Sequence, residues 1–234
     1  AENYYRHRWS KVVIGSEGKI LLSIQAESED LREILLDRGI DVSHESIRSW
    51  VYKFGPKYAE HIRKNHIQKF ADKWHLDEVH VRINGKAYWL WRAVDSKGQE
   101  IDILLQPRRS ARCAYRFFRK ILDKVSDFQP RVIVTDKLHS YRKPIKFFWP
   151  KADHRSHKGL NNRAENSHQI TREKERQMRK FHHPKRTQTF LSARGRLLNL
   201  LKIKRYSKSS DHFKSAFASA SKIFDSVISQ DTFI

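Results

Sequence analysis

Apolar positions in the first quarter of the chain recur with helical spacing. Leu31, Ile34 and Leu35 fall at i, i+3 and i+4, and Gly39 follows where a left-handed residue closes a helix. Ser43 is placed to cap a second helix, whose apolar residues Ile47, Trp50, Val51 and Phe54 repeat at i, i+3, i+4 and i+7. Gly55-Pro56 is expected to end that run, because proline lacks the N–H and collides with the preceding turn. Two short helices across residues 37–42 match a helix-turn-helix and an ordinary helical hairpin equally well on pattern alone. The second helix would expose His44, Glu45, Arg48, Ser49, Tyr52 and Lys53. Residues 57–72 are basic and read as a helical connector.

The period then changes from helical to alternating. Over 74–83, Val79, Val81 and Ile83 alternate with His80 and Arg82, and Asn84-Gly85 is a strong two-residue hairpin signal. Residues 86–94 form an aromatic-rich strand, residues 95–98 turn the chain, and 100–106 alternate again through Ile101, Ile103 and Leu105, which together predict an antiparallel meander. A helix over 110–127 gathers Ala114, Phe117, Phe118, Ile121 and Leu122 on one face. Residues 131–135 then read as a buried strand, parallel to its neighbour because a helix crossover precedes it. A short strand at 153–157 and a helix from Asn161 follow, and the segment from Ser207 reads as a frayed helical tail. The order predicts an α/β fold, a mixed sheet with flanking helices preceded by a small helical domain.

Charge narrows the function. The chain carries 48 Lys and Arg against 26 Asp and Glu, a formal net charge of +22, far above what solubility needs. Clustered cations release counterions from a phosphate backbone, so nucleic acid is the expected partner. Disorder is disfavoured by 38% hydrophobic residues, with 13 Phe and 6 Trp in periodic segments. The single cysteine, Cys113, excludes an intramolecular disulfide framework and a Cys-based zinc finger, and reads as a packed thiol. Histidines cluster only at His154 with His157 and at His182-His183, which makes a zinc site improbable. No run approaches the ~20 apolar residues of a spanning helix, and residues 1–6 lack a signal-peptide core, so neither membrane insertion nor secretion is expected.

In so basic a chain, acidic residues at apolar strand ends need an explanation. Asp77 lies in the first strand of the meander, Asp136 ends the most apolar strand, and Glu165 lies in the first turn of the helix from Asn161. Taken singly, each has an ordinary role as ion-pair partner, turn residue or helix N-terminal charge. Brought together on one rim, three carboxylates repel unless cations neutralise them, and hard oxygen ligands select Mg²⁺ or Mn²⁺. Two such ions serve phosphodiester displacement. Glu78 is adjacent, but strand alternation turns it to the opposite face, and it is read as structural.

The stretches Trp74-His75-Leu76-Asp77-Glu78, Val134-Thr135-Asp136-Lys137 and Asn161-Asn162-Arg163-Ala164-Glu165-Asn166-Ser167-His168 together resemble the insertion-sequence transposases of the IS6 group. The resemblance runs from about residue 30 to about residue 204 and includes Ile40-Asp41-Val42-Ser43, Arg92-Ala93-Val94-Asp95 and 172–178. It implies a helix-turn-helix followed by an RNase H-like catalytic domain, with Asp77, Asp136 and Glu165 as the DDE triad holding two Mg²⁺ or Mn²⁺ ions. Members also place a basic residue seven positions after the Glu, here Arg172, and two helical turns put it on the face of Glu165. His168, Arg176 and Arg179 fall near that stripe, and with Lys137 they form a DNA-contacting set beside the triad. His44, Arg48, Ser49 and Lys53 form the corresponding set on the helix-turn-helix. Asn161 reads as a helix cap, while Asn162 and Asn166 flank the Glu.

The implied organisation is an N-terminal region over 1–60 with the helix-turn-helix at 28–55, a basic connector at 61–72, the catalytic domain at 73–206 and a tail at 207–234. The implied partners are terminal inverted repeats and target DNA, bound by a homodimer or higher oligomer in a prokaryotic cytoplasm, associated with the nucleoid. Residues 10–28 depart from the amphipathic helix of the family, and the interval from Asp136 to Glu165 is shorter than the family's by several residues. Two competing readings follow: a degenerate copy that only binds DNA, and an RNase H-like nuclease that never joins strands.

Overall fold

The structure, a computed structural model, describes residues 13–14, 28–65, 69–125, 128–136, 138–156, 181–201 and 210–229. The chain divides into two compact units, one of Ala1–Gln68 with Thr189–Ile234 and the other of Lys69–Gln188.

In the first unit, α1 (Ser28–Asp37) and α2 (His44–Asn65) pack against each other. Gly39, at φ +73°, turns the chain between them, and the N–H groups of Gly39 and Ile40 bond the carbonyls of Leu36 and Leu35 at 2.9 and 2.8 Å. Ser43 caps α2, its Oγ accepting the Ser46 N–H at 3.2 Å. Leu31 and Leu35 are buried as the period requires, whereas Ile34 stays 42% exposed, so the α1 stripe is narrower than its sequence suggested.

The expectation that Gly55-Pro56 ends the second helix does not hold, because α2 runs through it to Asn65. Proline in a helix interior costs ~3 kcal/mol. Here the apolar stripe continues past it through Tyr58, Ala59 and Ile62, all buried, and burying each large side chain returns ~2 kcal/mol. Packing therefore outweighs the local break. The tail is likewise not simply frayed: α6 (Ser210–Ser229) packs on α2.

The second unit is built on five strands, β1 (Lys73–Ile83), β2 (Lys86–Asp95), β3 (Glu100–Gln106), β4 (Val132–Thr135) and β5 (Asp153–Ser156), in the order β3-β2-β1-β4-β5. The first three pair antiparallel; β4 runs parallel to β1 and β5 parallel to β4. Asn84 and Gly85 both take positive φ, 49° and 77°, as a two-residue hairpin with the sheet's twist demands. The second turn is organised by the fully buried Asp95, whose Oδ1 accepts the N–H groups of Lys97 and Gln99 and whose Oδ2 accepts that of Ala71.

Helix α3 (Ala111–Leu122) crosses one face of the sheet. After β4 come a short 3-10 turn (His139–Tyr141) and α4 (Arg142–Phe148), where the sequence offered no element. Trp74, Leu76 and Trp91 from the sheet pack with Phe117, Phe118, Ile121, Tyr141, Ile145 and Trp149 from this helical layer. Phe118 and Trp149 lie 4.9 Å apart between ring centroids, and Trp74 meets Trp149 edge-on at 5.3 Å. Cys113 is buried, as expected of a packed thiol. The mixed sheet with flanking helices is the α/β arrangement that the sequence pattern predicts. A further helix, α5 (Pro184–Leu201), spans the division between the units.

Candidate active site

Parallel pairing of β1 with β4 sets His75 beside Val134. Two residues further along each strand stand Asp77 and Asp136, so the same register carries both carboxylates to one rim, just past the last paired residue of β4. Asp136 is fixed there by the Leu138 N–H, which donates to its Oδ1 at 2.9 Å, and by the Thr135 hydroxyl, which donates to its carbonyl at 2.8 Å. Asp77 is held by the N–H of Glu78, which donates to its Oδ1 at 2.9 Å. Both aspartates are half-buried.

Glu78 corrects an expectation. Alternation does place it on the face of its cross-strand neighbour Trp91, while Asp77 shares a face with Arg92. Past His75, however, among the described residues that edge of β1 meets only an isolated bridge at Ile83–Phe181. Ligand atoms of Asp77, Glu78 and Asp136 accordingly lie within 4.8 Å of one another, a set of hard oxygen donors able to share a divalent cation.

Two residues not singled out in the sequence complete this cluster. Tyr141, fully buried, donates its hydroxyl to Glu78 Oε2 at 2.5 Å. Arg109, in the loop between β3 and α3, donates through Nε to Glu78 Oε1 and through Nη2 to Asp136 Oδ2 at 2.9 Å, with its guanidinium 5.1 Å from the centre of the Trp89 ring. Burial pushes the Glu78 carboxyl up to about 7; the Tyr141 hydrogen bond and Arg109 pull the other way, while Asp136 and Asp77 add to the rise. Burial also holds the Tyr141 phenol well above its ordinary value, and the Glu78 charge reinforces it. In sequence, Arg109 is the second of two adjacent arginines after Pro107, and its contacts to Glu78, Asp136 and Trp89, all distant in sequence, tell it from Arg108.

Glu165, His168, Arg172, Arg176, Arg179 and Lys137, with Asn161, Asn162 and Asn166, lie outside the described residues. On α2, Ser49 and Lys53 are exposed, and His44 and Arg48 are half-buried, Arg48 donating to Glu45 at 2.7 Å. Tyr52, expected on the exposed face, is instead half-buried against the Phe190 ring, 6.2 Å between centroids. His154 of β5 contacts Thr135 at 2.9 Å, and His157 lies outside the described residues. No helix among the described residues is long and apolar enough to cross a membrane.

Residues 71–204 match a protein family described as a DDE domain, of the IS240 transposase type. Over 172 residues the chain is 33% identical to the transposase for insertion sequence-like element IS431mec of Staphylococcus aureus strain N315, covering 71% of this chain and 75% of that protein. The chain belongs to the IS6 group of DDE transposases. The transposase for insertion sequence element IS257 in transposon Tn4003 of S. aureus matches it over the same extent at the same identity. Among solved structures, the HTLV-2 integrase catalytic core domain in complex with magnesium, in its trimeric form, is similar at a TM-score of 0.40 and 13% identity, over 63% of this chain and 99% of that one. By its family the chain is a DDE-type transposase, and Asp77, Glu78 and Asp136 form its candidate acidic cluster.

Proposed function

We propose that this transposase binds the terminal inverted repeats of an insertion sequence, cuts DNA strands there and joins them to target DNA, with Asp77, Asp136 and Glu165 as the metal-binding triad. The observation that carries the reading is the convergence of Asp77 and Asp136, 59 positions apart, just past the last parallel pair of β1 with β4. Hard carboxylate oxygens on a half-exposed rim suit Mg²⁺ or Mn²⁺. Two such ions, when bound, supply Lewis-acid activation of the attacking oxygen and stabilisation of the leaving one.

The chain's own residues hold and orient the substrate. Attack in line at phosphorus, by water for cleavage or by a DNA 3′-hydroxyl for joining, breaks the P–O3′ bond of the strand under attack and leaves that 3′-oxygen to take a proton. His44, Arg48, Ser49 and Lys53 on α2 are the proposed contacts to the repeat, and Arg172, His168, Arg176, Arg179 and Lys137 those near the cut. The proposed assembly on DNA is a homodimer or higher oligomer, working in a prokaryotic cytoplasm in association with the nucleoid. Purified protein incubated with terminal-repeat DNA and Mg²⁺ or Mn²⁺ tests this through nicked and joined products. Nicks without joined strands reduce the reading to a nuclease, and binding without either reduces it to a DNA-binding protein.

A further inference from the structure

The acidic cluster contains three carboxylates, but they are not equivalent. The Glu78 side chain has no solvent exposure, and both its oxygens are engaged, Oε2 by Tyr141 and Oε1 by Arg109. Asp77 and Asp136 stand half-exposed at the rim. Arg109 uses one edge of its guanidinium, Nε and Nη2, on Glu78 and Asp136, while the Trp89 ring fixes its plane. Its Nη1 makes no hydrogen bond among the described residues, and 34% of the side chain remains exposed. A planar cation is thus held through Nε and Nη2, with Nη1 left over, beside the half-exposed Asp77 and Asp136.

We propose that Arg109 contacts a phosphate oxygen of the DNA strand being cut, and that Glu78 anchors this arginine and is not a metal ligand. The chemistry fits each partner. Glu78 and Arg109 form a partly buried ion pair, and the same guanidinium also pairs with Asp136 at 2.9 Å. Nη1 can donate to a phosphate oxygen while Nε and Nη2 stay on the carboxylates, a division of donors that a lysine's single ammonium does not offer. The proposal rests on the cleavage reading above, and it adds a substrate contact from the β3–α3 loop.

The test uses the full chain as wild type, Arg109→Ala, Arg109→Lys, Glu78→Gln and Asp77→Asn. Three quantities are measured: Mn²⁺ affinity by electron paramagnetic resonance, the salt dependence of binding to a duplex oligonucleotide in Ca²⁺, and nicking of supercoiled plasmid in Mn²⁺, each at a temperature below the melting point of every variant. Arg109→Ala should keep Mn²⁺ affinity within about threefold, lower nicking at least about tenfold and reduce the salt slope by about one. Arg109→Lys should recover part of the nicking, and Glu78→Gln should follow Arg109→Ala while still binding Mn²⁺. Loss of Mn²⁺ by Glu78→Gln to the extent seen for Asp77→Asn makes Glu78 a ligand and overturns the proposal. So does a Mn²⁺ loss in Arg109→Ala, which assigns Arg109 to holding Asp136, or unchanged nicking and slope. If Asp77→Asn loses Mn²⁺ and nicking while Arg109→Ala matches wild type, only the Arg109 proposal falls. A wild type that neither binds Mn²⁺ nor nicks removes the cleavage reading and the proposal with it.

Discussion

Tyr141 and Glu78 meet through a 2.5 Å hydrogen bond across 63 positions of sequence, tying the 3-10 turn after β4 to the middle of β1. Both groups are buried, so neither finds water if the other is removed. Tyr141→Phe keeps the ring packed on Trp91 and Phe118 and deletes only the donor. The variant should lose ~1–3 kcal/mol of stability, the cost of an unsatisfied buried acceptor, measured by chemical denaturation near neutral pH. Unchanged stability contradicts the pairing.

His154 sets a pH dependence. The half-buried His154 Nε2 lies 2.9 Å from the Thr135 hydroxyl, which also reaches the Asp136 carbonyl at 2.8 Å. Burial lowers the His154 pKa from 6.5, Arg142 lowers it further and Asp153 opposes them. As pH falls, the unfolded chain takes up this proton before the folded one does. The stability tied to His154 is therefore complete above the ordinary histidine range and is lost as pH drops through the lowered folded value. Melting temperature followed from about pH 8 to about pH 5 should fall more steeply for wild type than for His154→Gln. Parallel curves contradict this.

Gly39 and Arg48 test the N-terminal helices separately for folding and for binding. Gly39 takes φ +73° with open space around its Cα, so Gly39→Ala meets no clash and costs only backbone strain, ~1–2 kcal/mol. Arg48→Ala should weaken binding to terminal-repeat DNA by ~1–3 kcal/mol and affect random DNA less, if Arg48 leaves Glu45 to read a base. Equal losses on both DNAs make it a phosphate contact.

These elements also mark what the sequence revealed and where it stopped. The meander was legible because Asn84-Gly85 leaves the backbone one turn geometry and the flanking residues alternate with the pleat. Asp77 and Asp136 were legible as acids in apolar strands of a basic chain. The extension of α2 through Pro56 was not, since it depends on partners for Tyr58 and Ile62 that local pattern does not show. Helix α4 carries Arg142, Lys143, Pro144 and Lys146 in seven residues, which masks its buried Ile145. Alternation assigned Glu78 its face correctly but says nothing of how near two faces come at a strand end. Arg109 joins Glu78 and Asp136 from 31 and 27 positions away, a relation that exists only after the sheet has formed.

The carboxylates at the rim offer the most direct test. Cleavage of terminal-repeat DNA in Mg²⁺ or Mn²⁺ by wild type, Asp77→Asn, Asp136→Asn and Glu165→Gln, with DNA affinity measured on the same preparations, tests them together. Each amide variant should bind DNA as well as wild type or slightly better, having lost a charge that repels phosphate, and should cut only at background. Cutting at the wild-type rate by Asp77→Asn or Asp136→Asn contradicts the account.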